Sequence, residues 1–464
     1  MTAPSTAKAP VAPPTSVLKL GLPLMLAMGG HAFFNLVDLA MVGAYYEDGV
    51  QVEQTIAGMT IASLLTTAPI VFMTGVSNGT VPVLARAFGA GKILRANLFG
   101  RQAILVSILL SVLLGVIPGL FAEQIATLFR AEPGLELQVA SDYLSINCYW
   151  MFTAFVLTQL TSNMRAIGMG LWPMTLLLLS NFGNVIGNWL LIYGNWGFPE
   201  LGPAQGAAWA TVGARGVSMV LAVFVLARAH PAIRISLGGW RPRLRFIWVV
   251  VSSGLPVALQ WTLRLSSVIC ILFVISQFGQ AAKAAFGIGS RLETLALFAA
   301  LGWGGACAPL LGMCVARDDF AGARKVTRQA AVYCVITMAI AGAAYAAFPA
   351  AVIRVFSLSV EEQDLASTIA HGTDFLRISV LSYPAVALAV VWSHALNGAG
   401  SVKTPLLIDA AGLLLLQVPL AFVLASTSLE VEGAWWALVI SHYVIALVYF
   451  LVFRAGAWER KRLR

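Results

Sequence analysis

Residues 18–44 read LKLGLPLMLAMGGHAFFNLVDLAMVGA. Apart from Lys19, His31 and Asp38, nothing in this run can carry a charge. About 20 apolar residues, rising 1.5 Å each, cross the hydrocarbon core of a bilayer as a helix. The run shows no apolar/polar alternation, so a barrel strand is not expected. It is too long for the core of a cleaved signal peptide, and no Ala-x-Ala site follows at the right distance. Residues 1–17, rich in Pro, Ala and Thr, are expected to form a disordered cytoplasmic tail.

Eleven further runs of this kind follow, near 55–79, 98–121, 140–163, 171–194, 203–227, 246–277, 284–310, 329–352, 372–396, 405–427 and 432–453. The chain is 59% hydrophobic and only 11% charged, against about 25% charged in a soluble domain. It lacks the polar surface to face water on every side. The expectation is an all-α integral membrane protein of twelve transmembrane helices. The five cysteines lie in or beside apolar runs and form no Cys-x-x-Cys pair. They read as small apolar core residues, not as a zinc site or a disulfide framework.

A net charge of +9 would suggest nucleic acid in a soluble chain. Its distribution removes that reading. With a cytoplasmic N-terminus, 22 of the 29 Lys and Arg fall in the tail, the even-numbered loops and the C-terminus. The opposite loops hold Arg130, Lys283 and Arg354 among acids such as Glu47, Glu132, Glu361 and Glu430. This is the positive-inside pattern, and it places both termini in the cytoplasm. Arg215, Arg291 and Arg377 are expected near helix ends, where they can snorkel.

The two halves repeat. Gly21-Leu-Pro23 and Gly254-Leu-Pro256 lie 233 residues apart, Gly168 and Gly400 lie 232 apart, and Gly206 and Gly433 lie 227 apart, as do Pro82 and Pro309. Each copy holds six helices, so both insert with the same orientation, an arrangement in which transporters bind substrate between the halves. The copies are taken as an N-terminal bundle at 18–227 and a C-terminal bundle at 246–453. A polar linker at 228–245, with Pro231, Gly238, Gly239 and Pro242, joins them. Residues 454–464 form a basic tail.

These landmarks resemble the multidrug and toxic compound extrusion (MATE) family of cation-coupled efflux antiporters. The likeness runs through Leu22-Pro23, Asp38-Leu-Ala-Met-Val-Gly43, Pro82 to Lys92, Arg165-Ala-Ile-Gly168 with Trp172-Pro173, Asn184 to Asn188, and Leu201 to Thr211. It covers roughly 18 to 450 and is stronger in the first half. The resemblance implies a V-shaped pair of bundles that exports an organic, cationic and amphipathic compound in exchange for H+ or Na+. It also implies a monomer in a bacterial inner membrane with no cofactor. Two departures stand out. Some members carry an acid on the seventh helix where this chain has Arg264, and on the fifth where it has Asn188. Coupling through either acid cannot be carried over.

Asp38 is the leading candidate for cation coupling. A charged side chain at the centre of a membrane helix costs about 2.5–3.5 kcal/mol on insertion scales, so one that persists suggests a role. His31, Asn35 and Asp38 share a helical face, and so do Asn181, Asn184 and Asn188 on the fifth span. Gly183 and Gly187 beside them should let a neighbouring helix approach closely. Asp38, Asn184, Asn188 and Thr211 are expected to line one cavity, where H+ or Na+ at Asp38 competes with cargo; the family's matching acid has this coupling role. His31, Asn35, Asn181, Trp209, Gln260, Trp261 and Arg264 are further cavity candidates, with Met151 beside them. Arg264 shares a face with Gln260 and Ser267, and Glu293 or Asp409 could be its partner. An ion pair and a contact to an anionic or zwitterionic substrate both stand as readings. Trp196, Trp240 and Trp458 read as interfacial belt residues.

Gly75-Val-Ser77-Asn-Gly79 matches a nucleophile elbow but lies in an apolar helix, without the strand that motif requires. No phosphate-binding or metalloprotease motif occurs. Two rivals remain: a flippase for lipid-linked precursors, which would need several inward-facing cations in both halves, and an intramembrane enzyme, which would need a nucleophile with its base.

Overall fold

Within a bilayer every backbone N–H and C=O must find its partner inside the protein, and a helix meets that demand along its own length. The computed structural model describes residues 16–46, 49–228, 240–356 and 362–460, without the side chains of 31–36, 38–40, 43, 49, 355–356, 362–364 and 460. All regular structure among the described residues is helical. The expected tail, apart from Ser16 and Val17, and most of the linker at 228–245 lie outside them; Val17 already begins the first helix.

Twelve helices span the membrane. They are α1 (Val17–Gly43), α2 (Gly49–Gly89), α3 (Ile93–Leu120), α4 (Leu135–Tyr149 continued by Met151–Ala166), α5 (Leu171–Leu191) and α6 (Gly202–Arg228), then α7 (Leu244–Ile275), α8 (Gln280–Val315), α9 (Phe320–Ala347), α10 (Leu365–Gly398), α11 (Lys403–Ala425) and α12 (Glu430–Arg454). Ten are long and apolar enough to cross by length and composition alone. The others are α1 and the two-piece α4. α4 breaks at Trp150, whose carbonyl is taken by the backbone and hydroxyl of Thr153 at 3.0 and 2.9 Å.

Contacts divide the chain into two units. One comprises Gly30–Ala258, and the other comprises Thr15–Gly29 with Leu259–Arg464. The repeat bounds 18–227 and 246–453 are sequence bounds, and packing does not follow them. The first half of α1 is built into the second unit, and the first half of α7 into the first.

Glycine explains how. In the first unit a Cβ on Gly75 of α2 would run into the Ala258 backbone, and one on Gly79 would stand 2.5 Å from the Ser253 carbonyl oxygen. Gly254 meets Val76 in the same crossing. In the second unit a Cβ on Gly302 of α8 would run into the Met25 backbone, and one on Gly21 into the Trp303 ring. The partners are repeat equivalents: Gly75 and Gly302 lie 227 apart, Ala258 and Met25 lie 233 apart. The Gly-x-Ser-x-Gly motif is thus half of a helix crossing. Gly206 against Ile192 and Gly433 against Leu424 repeat a second close approach.

Each unit has its own core. The second contains an aromatic cluster in which Trp435, fully buried, stacks on Phe286 at 5.8 Å and meets Phe375 edge-on at 4.8 Å. Two expectations need correction. Trp458 is buried, not interfacial: its ring stacks on Phe453 at 5.1 Å and its Nε1 donates to the Phe453 carbonyl. Arg215 sits 13 residues from either end of α6, and Arg291 and Arg377 lie 11 and 12 residues inside the starts of α8 and α10, so none of the three is at a helix end.

The crossings set a stability test. Gly75→Ala and Gly302→Ala should each lower the melting temperature in detergent, by about 1–3 kcal/mol or more in stability, because the added methyl meets backbone. Gly287→Ala in α8, where a Cβ meets nothing, should be neutral or slightly stabilising. Equal behaviour of all three would show that the crossings are loose.

Candidate functional site

Polar side chains gather at three places. In the first unit α5 packs on α6 through small residues: a Cβ on Gly187 would stand 2.9 Å from Ala210 Cβ, and one on Gly183 would stand 3.3 Å from Ala214 Cβ. The close approach lets Asn184 Nδ2 donate to Thr211 Oγ1 at 2.9 Å, while Asn188 is fully buried. The second half of α1 runs along the same α5. Gly30 approaches Leu178, and Tyr193 donates to the Met41 carbonyl at 2.6 Å. Asp38 lies between these two contacts in the chain. Its side chain, with those of His31 and Asn35, lies outside the described residues.

Trp209 does not join this set. It faces Trp150 at 5.8 Å between ring centres and helps line an apolar groove of about 530 Å³ with Phe152, Val212, Gly216 and Val220. Met151 is not part of that groove's lining: it is fully buried and would collide with a side chain at Gly115.

A second network ties α2 to α4. Ser77 donates to Gln159 Oε1 at 3.1 Å, and Gln159 Nε2 donates to Thr80 at 3.0 Å and Asn163 at 2.9 Å. Arg165, also buried, donates to Asn78 Oδ1 at 3.0 Å and Ser162 Oγ at 2.6 Å. Each donor finds a partner, as burial in a low-dielectric interior demands.

The third network, in the second unit, centres on Asp409 of α11. Its Oδ2 accepts from Arg264 Nε and from Gln260 Nε2, both at 2.8 Å. Its Oδ1 accepts from the Tyr449 hydroxyl at 2.7 Å. Gln260 also donates to Ser393 at 2.9 Å and accepts from Asn397 at 3.4 Å. One turn along the shared face, Ser267 donates to Gln417 Oε1 at 2.6 Å. Between Asp409 and Gln417, α11 widens into a π-helical stretch, Ala410–Gln417, a deviation often found at functional sites. Of the two proposed partners of Arg264, Asp409 is therefore the one, and Glu293 is not. Trp261 packs against the adjoining core. Asp409 and Gln417 were legible as two polar residues in an apolar span, but Tyr449 and Ser393 carried no such mark.

The MatE family model matches residues 23–190 and again 256–423, so it fits both copies of the repeat. The chain belongs to the MatE family. MatE proteins are transporters, not enzymes, and this chain is a multi-pass membrane transporter. Its relatives include "Probable multidrug resistance protein NorM" of Thermotoga maritima, 23% identical over 96% of this chain and 93% of that one. Another is "Probable multidrug resistance protein YoeA" of Bacillus subtilis, 25% identical over 95% and 93%. The fold is that of an outward-facing multidrug resistance MATE transporter of the MOP superfamily, with TM-score 0.88 and 20% identity over 97% of this chain and 98% of that one. A MOP superfamily transporter from Pyrococcus furiosus Vc1, described by the reversed polarity of its binding pocket, matches with TM-score 0.88 at 19% identity, covering 97% and 98%.

In this MatE chain the Arg264–Asp409 pair is a structural bond with a clear test. Asp409→Ala strands a guanidinium, which cannot shed its charge, and should cost about 3–5 kcal/mol. Replacing both partners, Arg264→Met with Asp409→Leu, should cost less than that single change. Thermal unfolding in detergent reads the ranking; a double variant that melts below Asp409→Ala would contradict it.

Proposed function

We propose that this transporter is an antiporter that exports organic, cationic and amphipathic compounds in exchange for H+ or Na+, coupled through Asp38 in the first unit. The observation that supports it most is the shared use of α5. One part of that helix holds Asn184 against Thr211, and the second half of α1, which carries Asp38, runs along it. A carboxylate beside such amides and hydroxyls can hold a cationic cargo or a coupling ion, but binding one weakens the hold on the other. Neutralised, Asp38 no longer favours a cation, and the repacking of α1 on α5 would release it. The names of the relatives, multidrug resistance proteins, agree with this cargo class. A monomer in a bacterial inner membrane, with both termini cytoplasmic, completes the proposal.

The flippase reading for anionic lipid-linked cargo is weaker. Arg264, the intramembrane cation it would use in the second unit, is already bonded to Asp409.

Proteoliposomes loaded with a fluorescent organic cation test the proposal, first under an imposed proton gradient and then under a sodium gradient. One gradient should drive exchange. Asp38→Asn should slow it on the order of tenfold or more, within the range of a coupling energy of 1–3 kcal/mol. Asn184→Ala should slow it less. Exchange at the normal rate in Asp38→Asn would remove Asp38 from the mechanism, and indifference to both gradients would remove antiport.

A further inference from the structure

The bond to Asp409 uses only part of Arg264. A guanidinium carries its N–H donors in a fixed plane, one on Nε and the rest on the two Nη atoms. Nε donates to Asp409 at 2.8 Å, and no described residue accepts from either Nη. The Arg264 side chain is 26% exposed, against 3% for Asp409. Asp409, by contrast, has both oxygens occupied, by Arg264, Gln260 and Tyr449. The pair is closed on its acidic side and open on its basic side.

Two further groups are unused in the same region. Ser267, one turn beyond Arg264 on the same face of α7, donates to Gln417 Oε1 at 2.6 Å. Gln417 is buried, yet no described residue accepts from its Nε2. On α12, Tyr449 bonds Asp409, and Ile445, one turn back, packs where a Cβ on Gly412 of α11 would run into it. Each turn back along α12 is therefore a turn forward along α11. The next turn brings His442 to the end of the π-helical stretch, where Gln417 stands. His442 Nδ1 is buried and has no hydrogen-bond partner.

Buried donors without acceptors destabilise a fold. Here the missing partner is an acceptor, and Arg264 repels any cation that would take its place. A carboxylate fits: it accepts two parallel bonds from the Nη pair and has lone pairs left for an amide N–H and an imidazole N–H. Asp409 offsets much of the charge on Arg264, which favours a singly charged carboxylate over a pyrophosphate. Trp261, half-buried one turn before Arg264, supplies an aromatic face for the apolar part of such a ligand.

We propose that Arg264 Nη, Gln417 Nε2 and His442 Nδ1 form a binding site, inside the second unit, for the carboxylate of a small organic anion. This goes beyond the Asp38 reading and does not depend on it. Arg264 then serves both as a structural ion pair, through Nε, and as a ligand contact, through its Nη atoms.

The probe is radiolabelled benzoate, measured by equilibrium dialysis against the full-length purified chain at neutral pH, with protein-free micelles as the blank. Binding should saturate, and benzamide, the neutral counterpart with the same ring, should compete at least about tenfold more weakly, because a charge-assisted bond is about twice as strong as a neutral one. Gln417→Leu and His442→Leu should each weaken binding roughly tenfold, the scale of one hydrogen bond to a charged group. Arg264→Met with Asp409→Leu should abolish it. The two single variants leave the ion pair in place and keep the test decisive if the double variant does not fold. Absence of saturable benzoate binding, equal competition by benzamide, or binding unchanged by both Gln417→Leu and His442→Leu overturns the site. Loss of cation exchange in the vesicle assay bears on Asp38 alone and leaves this measurement standing.

Discussion

Helices in lipid gain little from hiding apolar side chains from one another, because the lipid is as apolar as they are; association rests on close contact. The fold depends on that constraint at two crossings. At Gly75 and Gly79 the α2 backbone meets the first half of α7, and at Gly302 the α8 backbone meets the first half of α1. A side chain at any of these glycines would hold the backbones apart. The crossings also decide which unit owns which half-helix. Residues before Gly30 belong with the second unit, and those up to Ala258 belong with the first. The same pairing occurs twice, once in each unit.

Charge is handled differently from shape. Where α5 meets α6, Asn184 and Thr211 pair an amide with a hydroxyl, neutral groups that can be buried once bonded. The second unit buries a full ion pair. A guanidinium stays charged under any condition the protein meets, so Arg264 in a membrane helix requires a carboxylate within reach. Asp409 meets that need and also accepts from Gln260 and Tyr449, which fills the acceptor positions an isolated salt bridge would leave open. Such a pair adds little net stability over apolar side chains of the same size, but losing one member is severe.

The twelve spans, the repeat and the family were legible because each rests on features that recur along the chain: apolar length, and glycines and prolines at a fixed offset. The partner of Arg264 was legible only as a pair of alternatives. Choosing Asp409 over Glu293 needed the rotation of α11, which its π-helical stretch alters by an amount no periodicity reveals. Trp458 was misplaced for a related reason. Its position near a predicted end suggested an interface, but the turn at Ala457–Arg460 folds it back onto Phe453. Arg215 was misplaced because a long side chain can be accommodated mid-helix by neighbours that sequence does not identify.

The two units therefore share a frame and differ in what surrounds the interruptions of that frame. The glycine crossings are copied at a nearly constant offset, and so is one interruption: Trp150 of α4 and Ser382 of the 3-10 turn in α10 lie 232 residues apart, the offset of Gly168 and Gly400. The second unit has a 3-10 turn between Ser379 and Tyr383 in α10 and a π-helical stretch from Asp409 to Gln417 in α11. The first unit breaks α4 at the equivalent Trp150, beside an apolar groove, and has its π-helical stretch elsewhere, at Val112–Val116 of α3. Each interruption frees or re-aims backbone groups that lipid could not satisfy, so each must be surrounded by protein. In the second unit what surrounds them is acids, amides and hydroxyls; at Trp150 it is largely aromatic rings. Duplication explains the common scaffold. The local departures from helical geometry are where the copies acquired different chemistry, because a displaced turn changes which side chains face inward without disturbing the crossings that hold the helices together.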